Sequence, residues 1–70
     1  MTITQSEFKS RGRAALGGHG WMARMSRGIG KDYTTVIRWA NGDLSVPAYA
    51  VAVLELLEAV PRDQHPSRFR

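Results

Sequence analysis

Cysteine is missing from this 70-residue chain, so neither a disulfide nor a thiolate metal site is open to it. Its two histidines, His19 and His65, stand far apart with no carboxylate at ligand spacing, and no metal or other cofactor is expected. No apolar stretch approaches the roughly 20 residues needed to span a bilayer. The opening MTITQSEFK lacks the basic and apolar segments of a secretory leader. These absences predict a cytoplasmic protein with no membrane partner. Strand-like alternation and internal repeats are missing too. So is any serine–histidine–acid set or pair of carboxylates placed for acid–base work, and an enzyme is not expected. A single small domain remains, whose stability has to come from a compact helical core or from oligomerisation.

The formal net charge is +4, unevenly spread. Residues 1–42 hold seven basic against two acidic side chains, residues 43–60 hold three acids and no base, and residues 61–70 hold three bases against one acid. A polyanion would be drawn to the first segment.

Helix signals come in order along the chain. Thr4 and Glu7 form a T-x-x-E capping box with Ile3 and Phe8 placed as a hydrophobic staple. Phe8, Gly12, Ala15 and Leu16 then share a face, and Gly17 and Gly18 stop the helix. GGHG (17–20) follows a helix and precedes no G-K-[ST], so it reads as a turn rather than a phosphate loop. A second helix covers about Trp21 to Gly28. A third covers Tyr33 to Asn41, with Asp32 as N-cap and Gly42 as terminator. A fourth runs from Pro47, as its first residue, to Val60, with Pro61 ending it.

The stretch Met22–Asn41, MARMSRGIGKDYTTVIRWAN, carries the most information. Two helices crossing steeply need a small residue at the crossing, here Ser26, and a turn residue free to take unusual backbone angles, here Gly30. Met25 and Ile29 face inward from the first of these helices, Val36 and Trp39 from the second. Subtracting that face leaves Tyr33, Thr34, Ile37 and Arg38 outward, with Thr35 at the margin. This is the composition of a helix-turn-helix whose second helix reads the DNA major groove. Arg38 can form a bidentate fork to guanine. Lys31, Asn41 and the N–H groups at the helix starts suit phosphate. Arg24 and Arg27 serve flanking phosphates or merely solvate their helix. Trp21 packs on the fourth helix or lies beside the sugar-phosphate backbone.

The small residue and glycine of MSRGIG, the ending TTVIRWANG and the following SVP together resemble the lambda-repressor-like (Cro/Xre-type) helix-turn-helix family, over about residues 4–60. The resemblance implies an all-α DNA-binding domain of four helices, or five as is common in that family. It puts Tyr33, Thr34 and Arg38 on base-contacting positions. It puts Met22, Lys31 and Asn41 on phosphate positions, with Met22 departing from the usual polar residue so that its backbone N–H does the work. Arg24, Arg27 and Thr35 complete the expected phosphate set.

The expected layout is a helix-turn-helix domain over residues 1–60 and a polar tail over 61–70. That tail, RDQHPSRFR, is expected to be mobile at its end, the alternative being an arm of Arg68, Phe69 and Arg70 that enters a groove. On the fourth helix Val46, Ala50, Val53, Leu57 and Val60 form one apolar face, and Val51, Leu54 and Leu56 add more than one core needs. A homodimer through this helix is the expected outcome. The function expected is a small phage or mobile-element repressor binding a palindromic operator, with no small-molecule ligand. The alternatives are the antitoxin of a toxin–antitoxin pair, a DNA-recognition module of phage packaging or recombination machinery, and a protein-interaction domain that kept the fold.

Overall fold

Four α-helices follow one another in the computed structural model, which describes residues 3–70: α1 (Gln5–Leu16), α2 (Trp21–Ile29), α3 (Tyr33–Asn41) and α4 (Ala48–Glu58). Two 3-10 turns, Arg62–Gln64 and Ser67–Phe69, complete the chain, and the described residues contain no strand. The domain is all-α, as the sequence predicts. No helix among the described residues is long and apolar enough to cross a membrane.

α1 begins on the predicted capping box: the Glu7 N–H donates to Thr4 Oγ1 at 3.1 Å and the Thr4 N–H donates to Glu7 Oε1 at 3.4 Å. Phe8, Gly12 and Leu16 bury one face of it. Gly12 is there for space. A side chain at that position would run into the indole of Trp21, which makes an edge-on contact with Phe8 at a centroid distance of 5.4 Å. Trp21 is thus a core residue seated on α1. Trp39 meets Phe8 from the other side at 6.0 Å, so three aromatic rings from three helices meet at the centre.

The start of α4 differs from expectation by one residue. Pro47 has extended backbone (ψ 158°) and stands outside the helix as its N-cap. Its carbonyl accepts from the Ala50 and Val51 N–H groups. The helix ends at Glu58, two residues early. Its buried face is Ala50, Leu54 and Leu57, joined by Val46 from the preceding loop. Leu54 takes the place expected for Val53, which is half-buried, and Val60 lies outside the helix and exposed. The true period of 3.6 residues rotates Val53 off the stripe centred on Leu54, and the early end of the helix leaves Val60 off it. Glu58 is more than a solvated edge, since Arg11 grips its carboxylate through Nε at 2.9 Å and Nη2 at 2.6 Å and ties α1 to α4. That guanidinium, chiefly by its hydrogen bond, holds the Glu58 carboxyl below its ordinary value and is itself raised in return.

The tail departs most from expectation. It is neither a free end nor an arm, because it folds back across the domain. His65 is 4% exposed and its Nε2–H donates to the Leu57 carbonyl at 2.7 Å, which closes the end of α4. Phe69 is 8% exposed and fills the space above Gly28 on α2. Burying one benzyl group is worth about 1.5–3 kcal/mol, enough to hold a short segment whose other side chains are polar.

Candidate nucleic-acid interface

α2 and α3 are joined by the three residues Gly30, Lys31 and Asp32. Gly30 has φ +74°, in the left-handed region, and its N–H and that of Lys31 both donate to the Ser26 carbonyl. This reversal needs glycine for its backbone angle alone, since nothing lies within 4 Å of where a side chain would stand. Ser26 is buried, and its hydroxyl donates to the Ala23 carbonyl at 2.9 Å, which satisfies its one polar atom. Met25 is fully buried on α2, and Val36, Trp39 and Ala40 are buried on α3. Ile29 is half-buried against the same core. Asp32 takes the N-cap position of α3 through its backbone; its carboxylate makes no cap hydrogen bond.

The outward side of α3 presents Tyr33, 49% exposed, with Thr34 and Arg38 also exposed. Thr35 and Ile37 are half-buried at its margins. Among the described residues the side chains of Tyr33, Thr34 and Arg38 make no hydrogen bond within the chain, so their donors and acceptors are free. α3 closes on Gly42, φ +85°, and the N–H groups of Gly42, Asp43 and Leu44 all donate to the Arg38 carbonyl. That clasp leaves Asn41 exposed at the end of the helix.

The expected phosphate set is only partly brought together. Lys31 and Asn41 are exposed at either end of α3, and Met22 is half-buried in the first turn of α2. Among the described residues the Met22 N–H has no partner within the chain. Arg24 and Arg27 stand apart from these, anchored to main-chain oxygens. Arg24 donates through Nε and Nη2 to the Leu16 carbonyl at 3.0 and 2.6 Å, and through Nη2 to the His19 carbonyl at 2.9 Å, which caps the end of α1. Arg27 donates to the main-chain oxygens of Arg68 and Arg70 in the folded tail.

One residue beside this surface was not among those expected. Tyr49, in the first turn of α4 and 46% exposed, lies edge-on to Trp39 at 6.1 Å, and the Lys31 ammonium stands 5.8 Å from its ring centroid. An aromatic just inside a helix start, off the stripe of Ala50, Leu54 and Leu57, was the available signal. α4 leaves further apolar surface bare: Leu56 is 70% exposed and Val60 joins it, with Val53 half-covered between.

Two packed helices around a glycine turn, with Tyr33, Thr34 and Arg38 exposed and unbonded on the second, define a small all-α domain. No protein-family model, no curated protein and no solved structure matches the chain.

Proposed function

We propose that this chain is a sequence-specific DNA-binding regulator of the lambda-repressor-like helix-turn-helix type, acting in the cytoplasm as a small repressor of phage or mobile-element kind. The observation that carries the reading is the division of α3. Val36, Trp39 and Ala40 are spent on the core, while Tyr33, Thr34 and Arg38 are exposed and unbonded on the opposite side. In this reading α3 lies in the major groove. Arg38 forks onto guanine O6 and N7, and Tyr33 and Thr34 contact neighbouring base edges. Lys31, Asn41, the Met22 N–H and the half-buried Thr35 bear on phosphate at the margins.

The bare stripe of Tyr49, Val53, Leu56 and Val60 supports a homodimer through α4, since an isologous pair covers the same patch on both copies. Repression follows from occlusion of the promoter. Selection of bound duplexes from a random pool tests the whole reading. The expected product is a palindromic consensus whose half-sites lie about 34 Å apart. Failure to enrich any sequence over the starting pool would overturn it.

A further inference from the structure

The tail's return across α2 rearranges the charge of the molecule. Arg24, Arg62, Asp63 and Arg70 line one open pocket of about 450 Å³ where the tail passes α2. Arg27 reaches from α2 to the main-chain oxygens of Arg68 and Arg70, which places the Ser67–Phe69 turn alongside. Counting Arg68, exposed in that turn, this part of the molecule carries five arginines and one aspartate, equal to the +4 of the whole chain. The other five basic residues are matched by five acidic ones, so the remainder of the molecule is neutral. Two clusters far apart in sequence become one only because Phe69 is seated on Gly28.

Four of the five are held in place, and among the described residues none pairs with a side-chain carboxylate. Arg24 is fixed by the Leu16 and His19 carbonyls, Arg27 by the Arg68 carbonyl and the main-chain oxygen of Arg70, and Arg70 by the Asp63 carbonyl. The Arg62 guanidinium rests where a side chain on Gly17 would stand. Backbone carbonyls fix a guanidinium without cancelling its charge, and five N–H donors leave several unused. Among the described residues the one ion pair is Arg11–Glu58, on other elements. Pre-oriented, unpaired guanidinium groups suit phosphate oxygens, which they meet bidentately.

We propose that this arginine face, built jointly by α2 and the folded tail, holds the phosphate backbone of duplex DNA without regard to base sequence. The inference rests on the DNA-binding reading and adds a second surface to it: α3 selects the site, and the arginine face supplies the bulk of the electrostatic attraction. Every phosphate neutralised releases counterions and adds about 0.9 to the slope of log affinity against log salt.

The experiment compares two double variants on a random-sequence duplex across a salt series. Arg62→Gln/Arg68→Gln removes two charges from the face. Lys9→Gln/Arg13→Gln removes two exposed charges from elsewhere. Both leave Phe69 and Gly28 in place, which an unchanged unfolding midpoint verifies. The first pair is expected to lower the slope by nearly two and the second to leave it at the wild-type value. A wild-type slope and affinity in Arg62→Gln/Arg68→Gln, while the wild type still selects its consensus, would overturn the arginine face alone. Binding of no duplex by the wild type would overturn both readings. Binding to phosphatidylserine vesicles in place of DNA would overturn the choice of nucleic acid.

Discussion

The ring of Phe69 stands where a side chain on Gly28 would project. The glycine lies in the last turn of α2 with ordinary backbone, so it is needed for its size and not for its conformation. Alanine in a helix interior ordinarily gains about 1 kcal/mol over glycine. Here the added methyl collides with a ring that has no flexible end to move aside, and overpacking costs about 1–3 kcal/mol. Gly28→Ala is therefore expected to destabilise the wild type, and to stabilise a Phe69→Ala background where the ring is gone. Urea unfolding of the four proteins reads the change of sign. Stabilisation of equal size in both backgrounds would refute the contact.

Arg11 and Glu58 give a pH signature. The folded carboxyl lies below its ordinary value near 4.5, so the pair's contribution is present above the unfolded value and is lost as pH falls through the folded one. Both side chains are about one-third exposed, which limits the pair to less than about 1 kcal/mol. Wild type is expected to exceed Glu58→Gln by that amount at neutral pH, with the gap closing below about pH 4.5. A gap that stays constant from neutral to acid would contradict the assignment.

On the α3 face, Arg38→Ala is expected to cost about 1–3 kcal/mol at one base pair of the selected site and to relax preference there. Lys31→Ala is expected to weaken all sequences alike and to lower the salt slope by about one. Quantitative binding to single-substitution duplexes separates the two patterns. Unchanged operator affinity in both Arg38→Ala and Tyr33→Ala would remove α3 as the reading helix.

Leu56 is the most exposed large apolar side chain on α4 and carries no core packing. Leu56→Glu is expected to leave the monomer fold intact while abolishing the dimer and the rise of Tm with protein concentration. Sedimentation equilibrium decides: a wild type that stays monomeric at every concentration tested would dispose of the α4 interface.

Much of the fold is legible in the sequence because its local signals agree with its packing. The Thr4–Glu7 box, the Gly17, Gly30 and Gly42 terminators and the inward spacing of Met25, Val36 and Trp39 all describe short-range chemistry that survives in the structure. The folded tail is not legible that way. A lone phenylalanine among arginines and prolines has no periodicity to betray a buried face, and its seat is an absence, the missing side chain of Gly28. The anchoring of Arg24 is hidden for a related reason, since only folding brings the Leu16 and His19 carbonyls to it. Of the α3 face the exposure of Tyr33, Thr34 and Arg38 follows from counting residues per turn. Tyr49 does not, because it arrives from another helix.

The two aromatic rings seated on helical glycines bear on how the chain acquires structure. Gly12, inside α1, weakens its helix by about 0.5–1 kcal/mol and Gly28, in the last turn of α2, by less, and nine residues are too few for α2 to persist as an isolated peptide. Neither helix gains its compensation until Trp21 or Phe69 settles onto it, and Phe69 comes from the far end of the chain. Helix formation and tertiary docking are thereby coupled, and a single cooperative transition between coil and native state is expected.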